Sequence, residues 1–127
     1  NFMGRFGIYG QRAANFIVQN SDLLIVLGSR LALPQTGYDL SAFAKKAKIV
    51  IIDIEEELQI PKNKIAKHFK IDCKLFLEDL NNKTKGIKKV SVDWIKFCNK
   101  IKFDYPLTLK EHSTSNYINS YNFINSL

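Results

Sequence analysis

The segment Ser21-Asp22-Leu23-Leu24-Ile25-Val26-Leu27-Gly28-Ser29-Arg30-Leu31 decides the fold. Leu23 to Leu27 form an unbroken apolar run of strand length, the pattern of a strand covered on both faces in a parallel sheet. Asn20-Ser21-Asp22 punctuates the chain before it and Gly28 closes it. Upstream, Gln11 to Asn20 place Ala13, Phe16 and Ile17 on one helical face, with Ala14 and Val18 beside them. Downstream, Ile49-Val50-Ile51-Ile52 repeats the apolar run and ends in Asp53. Ser29 to Gly37 is irregular, broken by Pro34 and Gly37, after which Leu40, Phe43, Ala44 and Ala47 resume helical spacing. Two buried strands around one crossover helix make a β-α-β unit, whose hand is right in nearly all proteins. The fold class is therefore α/β, with a parallel Rossmann-like sheet and flanking helices.

Further on, Glu55 to Leu58 reads as a turn or short helical segment and Pro61 to Lys67 as a loop. His68 to Ile71 supply a short strand, and Cys73 to Leu80 a helix burying Leu75, Phe76 and Leu80. Asn81 to Lys89 is polar and lysine-rich, a solvated connection. Val92, Ile95, Phe97 and Ile101 mark a helix around Trp94 that Tyr105-Pro106 stops, and Tyr117 to Leu127 open another helical pattern.

The chain of 127 residues is 46% hydrophobic and 24% charged, the balance of a globular protein. No apolar run approaches the roughly 20 residues that span a bilayer, so no membrane partner is expected and the cytoplasm is the default. Sixteen of the nineteen basic residues are lysines scattered along the chain. Abundant Asn, Ile, Phe and Tyr share AT-rich codons with lysine, so the net charge of +7 does not point to nucleic acid. Cys73 and Cys98 have no Cys-x-x-Cys spacing, and only His68 and His112 could join them, so a zinc site is not expected.

Three short stretches have the chemistry of phosphate or ribose recognition. Gly7-Ile8-Tyr9-Gly10 precedes a helix, where glycines let backbone amides approach a phosphate; a tight turn explains the same glycines. Gly28-Ser29-Arg30 lies at the C-terminal end of a parallel strand, where open α/β sheets bind ligands, and Arg30 could grip a phosphate or bridge loops. Asp53-Ile54 ends the next strand, where a carboxylate accepts from a ribose or caps the following turn. Ser29, Ser41 and Ser91 lack a G-x-S-x-G setting, and neither histidine has an obvious catalytic partner.

Taken in order, G-R-F-G-x-x-G-x-R-A-A-N, S-D-L-L-I-V-L-G-S-R-L, T-G-Y, F-A-K-K-A-K-I-V-I-I-D-I-E and D-C-K-x-F-L-E-D-L resemble the central domain of thiamine-diphosphate-dependent enzymes of the acetolactate synthase type. The likeness covers roughly Gly4 to Leu80. It implies a partial central domain over residues 1–82, with a sheet incomplete at its N-terminal side. A linker carrying the Trp94 helix would span 83–113, and the start of a C-terminal diphosphate-binding domain 114–127. The chain is accordingly expected to be a fragment.

The resemblance further implies a parent enzyme that decarboxylates a 2-keto acid and transfers the two-carbon unit, as a homo-dimer or homo-tetramer. Its thiamine diphosphate would be activated by a glutamate of the first domain, with the diphosphate and Mg²⁺ held by a G-D-G…N motif of the third, neither of which is in this stretch. Some family members bind FAD across the central domain. The matching positions here are Gly7, Gly10, Gly28, Ser29, Arg30, Asp53, Ile54 and Asp72, beside Cys73. Where the flavin-binding pattern continues into an acidic D-D-R loop, this chain has Leu31-Ala32-Leu33-Pro34-Gln35, which argues against FAD and for a stretch that keeps the fold. A stand-alone FAD- or ADP-binding module and a non-catalytic assembly domain are the alternatives.

Overall fold

The computed structural model describes residues 2–56, 59–86, 91–109 and 116–127. Helix α1, Arg12–Asn20, leads into strand β1, Leu23–Leu27, and strand β2, Lys48–Asp53, lies beside it in parallel. Leu23 stands opposite Lys48 and Leu27 opposite Ile52, so the two apolar runs are in step along their length. Strand β3, Ile65–Lys70, pairs in parallel with the other edge of β2, giving the order β1-β2-β3 with one register shift at Ile49/Val50. At the end of helix α1, Ser21 Oγ and Asn20 Nδ2 donate to Val18 O and Phe16 O, at 2.7 and 2.8 Å, side-chain bonds that compete with continuation of the helix.

Side chains alternate across a strand, so Leu24 and Val26 of β1 and Ile49 and Ile51 of β2 share one face. That face carries the core, where Val26, Ile49 and Ile51 pack with Leu31, Phe43, Ala44 and Ile60, and Phe6 and Val18 close over them. The opposite face holds Ile52 and Phe69, and helix α3, Cys73–Thr84, covers it there through a Phe69–Phe76 ring contact at 5.5 Å. Cover stops before β1. Leu23, Ile25 and Leu27 remain 41–49% exposed, so this strand is covered on one face and not, as its apolar run suggests, on both.

The crossover also departs from the helical spacing of its sequence. Helix α2 is a single turn, Leu33–Thr36, and residues 40–46 form turns rather than a helix. Ala44 has φ +43°, which ends any right-handed helix at that point. The carbonyls of Ser41 and Phe43, which a helix would have paired internally, accept instead from Lys64 Nζ at 2.9 and 3.0 Å. Lys64 belongs to a 3-10 turn, Lys62–Lys64, within the stretch read as loop, and β3 begins directly after it, at Ile65 rather than at His68.

Helix α3 runs on to Thr84, into the stretch expected to be a solvated connection, helped by a Lys83–Asp79 pair at 2.7 Å and by Thr84 Oγ1 donating to Leu80 O at 2.8 Å. Its Leu75 and Leu80 are exposed, not buried. Helix α4, Val92–Asp104, packs on α1 and stops at Tyr105 as expected, and helix α5 is short, Ser120–Asn125. Residues 54–56 carry no helix. The rest of that expected turn, part of the connection before α4, and His112 lie outside the described residues.

Candidate functional site

Because the three strands are parallel, Leu27, Asp53 and Lys70 end at one edge of the sheet, and the loops that follow them define the crevice where such sheets take ligands. The structure brings six of the eight candidate residues to this edge: Gly28, Ser29, Arg30, Asp53, Ile54 and Asp72. Cys73 joins them, its Sγ 3.5 Å from Ile52 O and 3.4 Å from the position a Cβ on Gly28 would take.

Their polar groups face protein partners. The Gly28 amide extends the sheet ladder to Ile52 O at 2.9 Å, with φ +54°. Ser29 Oγ accepts from the Leu31 amide at 3.4 Å. Leu31 itself has φ +49°, a left-handed conformation that a branched side chain adopts only when its surroundings impose it; here the turn drives Leu31 into the core, 2% exposed. Arg30 is left outward, 3.8 Å from the Glu55 carboxylate in an exposed pair. Asp53 is 7% exposed, and its Oδ1 accepts from the Glu55 amide at 3.0 Å. Asp72 caps α3, accepting from the amides of Lys74 and Leu75 at 2.8 and 3.3 Å. Nearby, Glu56 is held below the usual carboxylate range by its hydrogen bond to Lys70.

Gly7 and Gly10 lie apart from this edge, in a loop folded onto the start of α1 and onto α2. Four of its amides, all from Gly7 to Gln11 but that of Tyr9, have protein acceptors. Gly7 N donates to Asn15 Oδ1 at 2.7 Å, Ile8 N to Pro34 O at 2.7 Å, Gly10 N to Gly7 O at 2.9 Å and Gln11 N to Arg5 O at 2.7 Å. Asn15 Nδ2 returns a bond to Gly7 O at 3.0 Å. A Cβ on Gly7 would stand 2.3 Å from Pro34 O, and one on Gly10 2.5 Å from Phe6 C, so both glycines serve close packing of backbone on backbone. Asn15 is the residue holding this loop that pattern reading misses. Its only signal is its place at the end of G-x-x-G-x-R-A-A-N, because on the helix it neighbours Gln11, Arg12 and Gln19 and reads as one more polar surface position.

Two concavities flank the loop. One, of about 280 Å³, is lined by Phe6, Gly7, Asn15, Gln35, Thr36 and Phe43 among others. The other, of about 640 Å³, lies between Tyr9, Gly10 and Arg12 on one side and Tyr105, Leu107 and Tyr121 on the other. Neither includes a strand-end residue, so the candidates fall into separate places.

Among the described residues no group of three His, Cys, Asp or Glu side chains could hold a metal ion, so this set does not fit Mg²⁺. Nor does it offer a diphosphate cradle, since four of the five loop amides from Gly7 to Gln11 and the Asp53 and Asp72 carboxylates already have intrachain partners. Cys73 and Cys98 are free thiols, and burial pushes the Cys98 thiol up in pKa. His68 Nε2 is buried without a hydrogen-bond partner among the described residues. No described helix is long and apolar enough to cross a membrane.

Comparison with known proteins places this architecture. Acetolactate synthase large subunit of Cyanidium caldarium is 32% identical over 117 residues, covering 88% of this chain and 20% of that protein. Acetolactate synthase, chloroplastic, of Arabidopsis thaliana is 38% identical over 110 residues, covering 82% and 16% respectively. For acetolactate synthase 2, chloroplastic, of Nicotiana tabacum the figures are 39% over 114 residues, 85% and 17%. The chain thus spans a fifth or less of the length of these relatives. Residues 1–80 match the family described as "Thiamine pyrophosphate enzyme, central domain", and with that match the chain belongs to the central-domain family of thiamine-diphosphate-dependent enzymes.

Proposed function

We propose that this chain is the structural central domain of an acetolactate-synthase-like enzyme and binds no cofactor of its own. The observation that carries this reading is the glycine loop: every amide that a phosphate would need, from Gly7 to Gln11 with Tyr9 excepted, donates to a protein acceptor. A phosphate would have to break those bonds to bind. In the proposed parent, thiamine diphosphate would supply the electron sink for decarboxylating a 2-keto acid. It would be held, with Mg²⁺, by other domains, while this domain would fix their spacing. Residues 1–82 would form the central domain, 83–113 the connection and 114–127 the entry to the diphosphate-binding domain. The likeness to the relatives supports this, because it extends over 82–88% of the chain, beyond the 80 residues of the family match.

The parent would act as a homo-dimer or homo-tetramer without nucleic-acid or membrane partners. The free thiols suit a reducing compartment such as the cytoplasm, although two of the relatives carry "chloroplastic" in their names. A second reading, a nucleotide-binding module, draws on the meeting of Gly28, Arg30 and Asp53 at the strand ends. Titration calorimetry with FAD and with ADP separates the two. The structural reading expects no saturable heat with either, and a stoichiometric isotherm overturns it. Acetolactate formation from pyruvate by the parent protein, dependent on added thiamine diphosphate and Mg²⁺, tests the activity; its absence removes the enzymatic reading.

A further inference from the structure

Arg12 is at odds with the helix it opens. It stands in the first turn of α1, where the partial positive charge of the helix terminus disfavours a cation, and neither an acidic residue nor a side-chain cap offsets it there. A local rule broken this way points to a tertiary reason. That reason is Tyr105. The Arg12 guanidinium carbon lies 4.8 Å from the centre of the Tyr105 ring, and the same ring meets Phe16 at 4.7 Å. Arg12 and Phe16 are four residues apart and therefore neighbours on one face of α1. Tyr105 is the residue at which α4 ends, its amide donating to Ile101 O at 3.0 Å, and Pro106 follows it. One turn earlier, Lys102 Nζ donates to Phe2 O at 3.0 Å, tying α4 to the strand of chain that enters the glycine loop.

We propose that Arg12, Phe16 and Tyr105 form a clasp that fixes the end of α4, and with it the direction in which the chain leaves at Pro106, against the start of α1 and the glycine loop. Tyr105 is a positioning residue: two side chains of α1 hold its ring by different forces, cation–π from Arg12 and aromatic packing from Phe16. The helix read from sequence as part of a connection is thereby docked on α1. In the proposed parent enzyme, the clasp would set where the following domain begins relative to this one. That consequence rests on the family reading; the clasp itself does not.

Amide hydrogen exchange on the intact protein tests the clasp without reference to activity. In Tyr105→Ala, protection of the α4 amides falls about tenfold or more, while that of the β2 amides stays within a factor of two. Arg12→Ala lowers α4 protection about two- to fivefold, the worth of one exposed cation–π contact, and Arg12→Lys restores most of it. Tyr105→Phe behaves as wild type, because the ring and not the hydroxyl makes the contacts. Unchanged α4 protection in Tyr105→Ala overturns the proposal. So does an equal loss in α4 and β2 in both alanine variants, which would make Tyr105 a contributor to general stability. Cofactor-dependent turnover by the parent reads the family proposal separately, so the two can fail independently.

Discussion

Asn15 holds Gly7 from both sides, Oδ1 accepting from the amide and Nδ2 donating to the carbonyl, so one carboxamide does for the loop what a second strand would do. Asn15→Ala leaves a part-buried donor and acceptor unpaired and should cost about 1–3 kcal/mol, read as a lower urea midpoint at unchanged slope. Asn15→Asp should rescue little, because the carboxylate keeps the bond from Gly7 N but turns an oxygen toward Gly7 O. The two cysteines offer a second reading at this scale. Cys98 is 4% exposed and its thiol is pushed up in pKa by burial, so its thiolate is scarce near neutral pH; Cys73 sits half-buried at the strand ends. Titration with a chromogenic disulfide should therefore label Cys73 first and Cys98 only on unfolding. Equal rates for both would place Cys98 at the surface.

At the scale of elements, the faces of the strands make opposite demands on similar residues. Ile51 is 1% exposed in the core, whereas Ile25, one strand over, is 48% exposed. Ile51→Ala should cost about 2–5 kcal/mol of stability and Ile25→Ala well under half as much, measured by denaturant unfolding of both variants. The apolar runs 23–27 and 49–52 were legible as parallel neighbours because strand length, β-branched content and flanking punctuation all agree. Cover was not legible, since an unbroken run reads alike whether one face or two are packed. The crossover was misleading for a related reason. Leu40, Phe43, Ala44 and Ala47 have helical spacing because the same four side chains line a core from a series of turns, and what stabilises those turns is Lys64, some twenty residues away. No local window contains that partner. Lys64→Met should loosen residues 40–46 selectively, with faster exchange there than in β2. The strand-end candidates were readable from position, since the ends of parallel strands must converge. That their carboxylates and amides are already engaged was not, because the partners Glu55 N and Lys74 N are backbone groups carrying no sequence signal.

For the whole molecule, the two edges of the sheet are unequal. The β3 edge carries Lys67 and Lys70, charges that discourage another strand from pairing there. The β1 edge carries Leu-Leu-Ile-Val-Leu, without a charge, a proline or an irregularity in its register with β2, and no described strand pairs with its far side. Leu23, Ile25 and Leu27 add an open apolar row on one face of the same strand. Such an edge favours association, and that tendency should appear in the isolated chain as weight-average mass rising with concentration in sedimentation equilibrium. Ile25→Lys places a charge in the middle of the row, at a half-exposed position where it should cost under about 1 kcal/mol of fold stability. It should shift the chain toward monomer with the unfolding midpoint nearly unchanged, whereas Lys67→Ile should do the reverse by removing a guard from the other edge. A wild-type chain that stays monomeric across the concentration range, or an Ile25→Lys variant that associates as before, would move the association surface away from β1 and onto the exposed aromatic residues of α4 and α5.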